Sequence, residues 1–153
     1  MASQGFEFAY MLDGSNDSPV IRDFILGAAA DHLIGDLMIV QSDGFIDAAA
    51  NNATEVTCVI MEEVLTAAVS AGTTVAKCAI LQREQVWKCS MDAATTSLVA
   101  GVTKDVDIVD KNTIDADNAG SGAINLVDIS KLDTDGNILA ELVFLDTSFD
   151  NAD

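Results

Sequence analysis

Apolar residues in this chain come in short runs of four to eight, rich in Val, Ile, Leu, Thr and Phe and closed off by Gly, Asn, Asp and Ser. That punctuation predicts an all-β protein. Strands are expected near residues 20–26, 37–41, 44–48, 55–63, 75–81, 85–91, 103–109, 124–131 and 138–144. With a single proline, the turns depend on glycine and Asx side chains. Asp43-Gly44, inside Gln41-Ser42-Asp43-Gly44-Phe45, is the strongest hairpin signal, and Asp133-Thr134-Asp135-Gly136-Asn137 repeats it in a longer loop. Arg83-Glu84 is a weaker polar break between two apolar segments, and Gly120-Ser121-Gly122 closes a polar stretch before Ile124.

Alternation adds detail. Val106 and Ile108 against Asp105 and Asp107 predict a strand with one apolar and one carboxylate face. The order is poorer through residues 124–129, which suggests burial on both faces. Residues 23–32 and 62–71 hold Ala-rich stretches at helical spacing, which allows at most one or two short helices. The first 19 residues read differently. Phe6, Phe8 and Tyr10 alternate with small or acidic residues, and Asp13-Gly14-Ser15-Asn16-Asp17-Ser18-Pro19 has loop chemistry. An extended N-terminal arm (1–19) ahead of one β-rich domain (20–153) is the expected organisation, its aromatics on one edge. It would add a strand either to its own sheet or to a neighbouring molecule.

Composition sharpens this reading. Half of the 153 residues are apolar, yet the formal charge is −18. An apolar half of that size builds a core and leaves the acid outside, whereas charge with little hydrophobicity gives disorder. An anionic skin keeps copies soluble and repels nucleic acid and anionic membranes, so neither is an expected partner. Adaptation to a salt-rich host is the alternative source of the acid. No basic leader and no long uninterrupted apolar run is seen, so export and membrane insertion are not expected.

The residues for chemistry are few. His32 is the single histidine, beside Asp31, and no Ser or Cys has an evident base, so no catalytic residue is assigned and no enzyme is expected. Phosphate-cradling glycine loops are missing. Cys58, Cys78 and Cys89 each lie in an apolar run, where free thiols behave as small hydrophobes; neither a metal nor a cofactor is expected. Carboxylates are the remaining donors. Asp105 and Asp107, Asp115-Ala116-Asp117-Asn118 and the turn at 133–137 keep open a calcium- or carbohydrate-binding β module. The last cluster falls short of an EF-hand loop, whose first and twelfth positions would be Lys131 and Leu142.

The order of segments resembles one known group. Gly35-Asp36-Leu37-Met38-Ile39-Val40, Asp43-Gly44-Phe45-Ile46-Asp47-Ala48-Ala49 and Val56-Thr57-Cys58-Val59-Ile60-Met61-Glu62-Glu63 are similar to the opening of tailed-bacteriophage capsid decoration (cement) proteins. Leu98-Val99-Ala100-Gly101-Val102, Val106-Asp107-Ile108, Gly122-Ala123-Ile124-Asn125-Leu126-Val127-Asp128-Ile129 and the last hairpin extend the likeness over residues 20–145. It is a likeness of turns and strand order. The resemblance implies a small β-barrel, β-tulip or sandwich, a homotrimer, and a place on the outer capsid surface of a virion made in the host cytoplasm. The partner it implies is the major capsid protein, whose neighbouring subunits it would bridge and stabilise. A tail- or fibre-associated structural protein is the related alternative. Interface residues are expected among Phe6, Phe8, Tyr10 and Trp87.

Overall fold

A computed structural model describes residues 5–50, 55–65, 70–90, 105–106, 108–114, 124–132, 138–144 and 147. Among them the fold is all-β and holds no helix. The strands are β1 (Glu7–Met11), β2 (Ile21–Ile25), β3 (Leu37–Val40), β4 (Ile46–Ala48), β5 (Cys58–Ile60), β6 (Val75–Ile80), β7 (Gln85–Ser90), β8 (Asp105–Val106), β9 (Ile108–Asp110), β10 (Thr113–Ile114), β11 (Ile124–Leu132) and β12 (Ile138–Phe144).

Two five-stranded antiparallel sheets form, ordered β1-β7-β12-β11-β8 and β2-β6-β5-β3-β4, with a β9–β10 ribbon beside them. Between the sheets lies the larger core. Phe6, Trp87, Leu142 and Phe144 come from the first sheet, Leu37, Val59 and Ala79 from the second, and Ile108 and Ile114 from the ribbon. A second core of Leu26, Met38, Ile46, Cys58, Ile60, Ala76 and Cys78 lines the opposite face of the second sheet. At β3, β5 and the later half of β6 that sheet is therefore apolar on both sides, which is why those strands read as continuous runs. It curls until Leu26 and Ile46, at its two edges, meet in one parallel bridge, with Gly27 N–H donating to Ile46 C=O at 2.9 Å. The contact is one residue wide, so the molecule is a sandwich with a curled layer and no closed barrel.

Local chemistry explains the turns. Gly44 takes φ 88°, its N–H donates to Gln41 C=O at 2.9 Å, and Asp43 Oδ1 accepts the Phe45 N–H at 2.9 Å. These bonds close the β3–β4 hairpin as the Asp-Gly signal predicts. The Arg83-Glu84 break is a corner where the chain passes from β6 in one sheet to β7 in the other. The β11–β12 hairpin is present, though its turn at 133–137, like Gly120-Ser121-Gly122, lies outside the described residues.

Among the described residues neither segment that allowed a helix is helical, and the reading of residues 124–129 changes. Residues 23–32 are not helical: β2 runs to Ile25, and the chain then bridges to β4, so tertiary pairing overrides the alanines' propensity. Residues 62–65 and 70–71 are not helical either, with 66–69 outside the described residues. The broken alternation near 124–129 comes from register shifts between Leu126 and Asp128 and between Asp128 and Lys131, where β11 bulges against β12. Val127, in the first shift, is exposed, so burial on both faces is not the cause.

Candidate protein-docking face

Residues 5–12 of the expected arm are seated in the protein's own first sheet. β1 pairs antiparallel with β7, Glu7 opposite Lys88 and Phe8 opposite Trp87, while residues 13–18 run as an exposed loop. A bulge at Ala9 breaks the alternation, since Tyr10 stands opposite Val86, the next residue along β7 from Trp87. Phe8 consequently faces inward with Trp87, and Tyr10 faces outward. The expectation that Phe6, Phe8 and Tyr10 share an edge is corrected by that one inserted residue.

Each of the four expected interface residues has a definite place. Phe6 is 2% exposed and its ring sits 5.4 Å from that of Phe144. Trp87 is fully buried, and Phe8 meets it edge to face at 5.6 Å. Tyr10 is 42% exposed, and its hydroxyl donates to Glu141 Oε1 at 3.0 Å on the outer face. Phe6 and Trp87 thus belong to the interior in place of a contact surface; burial of large rings there gives up far more water-exposed area than a rim contact would.

The geometry singles out other residues. Ile34 (64% exposed) and Met61 (41% exposed) flank a half-open hollow of about 200 Å³ with Phe8 and Glu7 on its wall and Trp87 and Phe6 behind. Leu33 and Leu65, on the same two loops, are also exposed. These loops are held firmly. Gly35 takes φ 96°, its C=O accepts the Phe6 N–H at 2.8 Å, and its N–H donates to Ile60 C=O at 3.0 Å. Asp36 Oδ2, buried, accepts the Leu33 N–H at 2.9 Å and pairs with Lys111 Nζ at 3.0 Å. Lys111 Nζ also donates to Asp31 C=O at 2.7 Å. Ile34 therefore rides on a turn fixed by hydrogen bonds, which lowers the backbone ordering cost of binding there. No alternation marks Ile34 or Met61 in the sequence, because both lie between strands.

The remaining candidates are soon placed. His32 is buried with neither ring nitrogen hydrogen-bonded, its backbone bridged to Val64. Cys58, Cys78 and Cys89 are buried free thiols, as expected. Cys58 is pushed well above the ordinary thiol range by its hydrogen bond with Cys78 and then by burial and the proximity of the same sulfur. Among the described residues, no three His, Cys, Asp or Glu side chains group as metal ligands. Asp107, Asp115, Asp117, Asn118 and the 133–137 turn lie outside the described residues.

Comparisons with protein-family models, with curated proteins and with solved structures return no match to this chain.

Proposed function

We propose that the protein is a structural, non-catalytic decoration protein of a virion, binding the outside of an assembled capsid and stabilising it by bridging major capsid subunits. The observation that carries this reading is the apolar face at Ile34 and Met61, with Ile34 on a hydrogen-bonded turn, in a molecule of charge −18. An exposed apolar patch rimmed by charge is the form a protein-docking site takes. The surrounding acid blocks indiscriminate aggregation while leaving that face to one partner. A protein that binds the closed shell and not its separated subunits stabilises the shell by mass action over many equivalent sites. The segment order described above supplies the class of partner.

The test is co-sedimentation of the purified protein with expanded empty shells of its own major capsid protein. Saturable binding and a raised shell melting temperature are expected. Ile34→Asp with Met61→Asp should abolish binding and leave the protein's own melting curve unchanged. A protein that stays in the supernatant at every concentration overturns the reading.

A further inference from the structure

Where the first sheet stops covering the second, one face of β2 and β6 is left bare. Ala79 of β6 lies in the core between the sheets, whereas Ala76 and Cys78 lie in the core on the opposite face. Side chains alternate across a strand, so Val75 and Lys77 share the Ala79 face. Their cross-strand partners share it too: Ile25 stands opposite Val75, Asp23 opposite Lys77 and Ile21 opposite Ala79. Of these six, Ala79 alone is covered. Ile21, Ile25 and Val75 are 48%, 37% and 47% exposed, and Asp23 pairs with Lys77 at 3.2 Å with both side chains more than half exposed. Three branched apolar side chains thus surround one ion pair on an open stretch of sheet. An exposed ion pair of this kind adds little to the protein's own stability.

We propose that this β2–β6 face is a self-association surface, packing against the same face of a second copy about a two-fold axis that runs along the strands between β2 and β6. Such an axis lays β2 of each copy over β6 of the other. Asp23 then meets the other copy's Lys77, and Ile25 meets the other copy's Val75, so each cross-strand pair of the monomer is complementary to itself. Four charges alternate in sign around the axis, with apolar contacts beside them. An axis across the strands would instead bring Asp23 onto Asp23 and Lys77 onto Lys77, so charge selects the register. Charge also selects the partner. Asp23 and Lys77 sum to zero in a chain of −18, so two anionic molecules can touch here without like charges in contact. A cationic partner would gain nothing from so balanced a face. Side chains on the face make the contact, so the bridge of Leu26 to Ile46 at the sheet's edge stays intact. Two sheet faces packed roughly in line, about 10 Å apart, form an ordinary sandwich contact.

The face is small against the roughly 800 Å² per partner of a standard interface, so association is weak and concentration-dependent. The contact pairs neither Ile34 nor Met61. The inference is therefore independent of the shell-binding reading, and it gives a two-fold pair where the resemblance implies a three-fold one.

Sedimentation equilibrium of the full chain at physiological ionic strength tests it, since a Debye length of about 8 Å screens the net charges more than charges in contact. A monomer–dimer equilibrium is expected. Asp23→Lys and Lys77→Asp each set like charges against one another across the axis, and each should weaken the dimer at least tenfold. An equimolar mixture of the two variants should pair again, as should the double exchange of Asp23→Lys with Lys77→Asp. Both single variants stay strongly anionic, so recovery on mixing reports this contact and not net charge. Val75→Ser leaves the charges alone and should weaken the dimer severalfold. Thermal melts of every variant confirm that these exposed positions leave the fold intact. A wild-type chain that stays monomeric at the highest concentrations, a trimer, single variants that associate as tightly as the wild type, or a mixture that fails to pair overturns the proposal.

Discussion

The indole N–H of Trp87 donates to Oε1 of Gln85 at 3.0 Å, two residues away on the same strand, with both side chains buried. The same oxygen accepts the Gln82 N–H at 3.0 Å, and Gln85 Nε2 donates to Ile80 C=O at 3.1 Å. One carboxamide thus ties the largest core side chain to the corner that joins the two sheets. Gln85→Leu keeps the bulk and removes all three bonds. The Trp87 N–H and Ile80 C=O are then left buried and unpaired, at about 1–3 kcal/mol each. A urea titration is expected to show a loss of about 2–5 kcal/mol with an unchanged slope.

Gly5 and Gly35 cross so closely that a Cβ on either would lie 2.9 Å from the backbone of the other. Gly35 also holds a positive φ. Gly35→Ala is expected to cost at least about 2 kcal/mol, from left-handed strain and from pushing β1 off its turn. Gly14→Ala is the control, since Gly14 has φ 77° with nothing within 4 Å of its would-be Cβ. It should lose only the strain, about 1 kcal/mol. Hydrogen exchange at the Phe6 amide separates the two, being fast in Gly35→Ala alone.

Lys111 and Asp36 form an ion pair whose acid is buried and whose base is partly exposed. Lys111→Met leaves the Asp36 carboxylate in the interior with the Leu33 N–H and no cation. Stranding a buried charge costs about 3–5 kcal/mol. Adding Asp36→Asn removes the stranded charge and should recover a large part of the loss, which thermal melts of the single and double variants will show.

Cys58 stays protonated in the folded state far into the alkaline range, for the reasons of contact and burial given above. The unfolded thiol ionises near pH 8.5. Below that pH both states hold the proton, and the stabilisation is fully present. As pH rises beyond it the unfolded chain alone releases the proton, so stability falls by about 1.4 kcal/mol per pH unit from this group. Cys58→Ala should flatten the alkaline limb of a stability-versus-pH curve. A thiol reagent at pH 8.5 should label Cys58 of the native protein only as fast as the protein opens.

The fold was legible where side-chain pattern and backbone need agree. Asp43-Gly44 marks its hairpin because the turn requires φ > 0 at the glycine, and the run at 138–144 coincides with β12. Thr113–Ile114 escaped notice, because two residues carry no period and pairing with β9 alone makes them a strand. The single-residue bulge at Ala9 was equally silent: nothing in Phe8-Ala9-Tyr10 announces that alternation will fail. Phe6 and Trp87 are buried, whereas Tyr10 keeps an exposed place on the outer face. Ile34 and Met61 became visible only in three dimensions, since their exposure depends on where the Gly35 crossing leaves the two loops.

The partnership of β1 with β7 also bears on how the molecule is made. Glu7 and Phe8 find Lys88 and Trp87 across more than half of the chain, so β1 leaves the ribosome well before its mate is synthesised. Closing so wide a loop is entropically slow compared with forming the local β3–β4 hairpin. Until it closes, Phe6 and Phe8 remain bare and open to association with other unfinished chains.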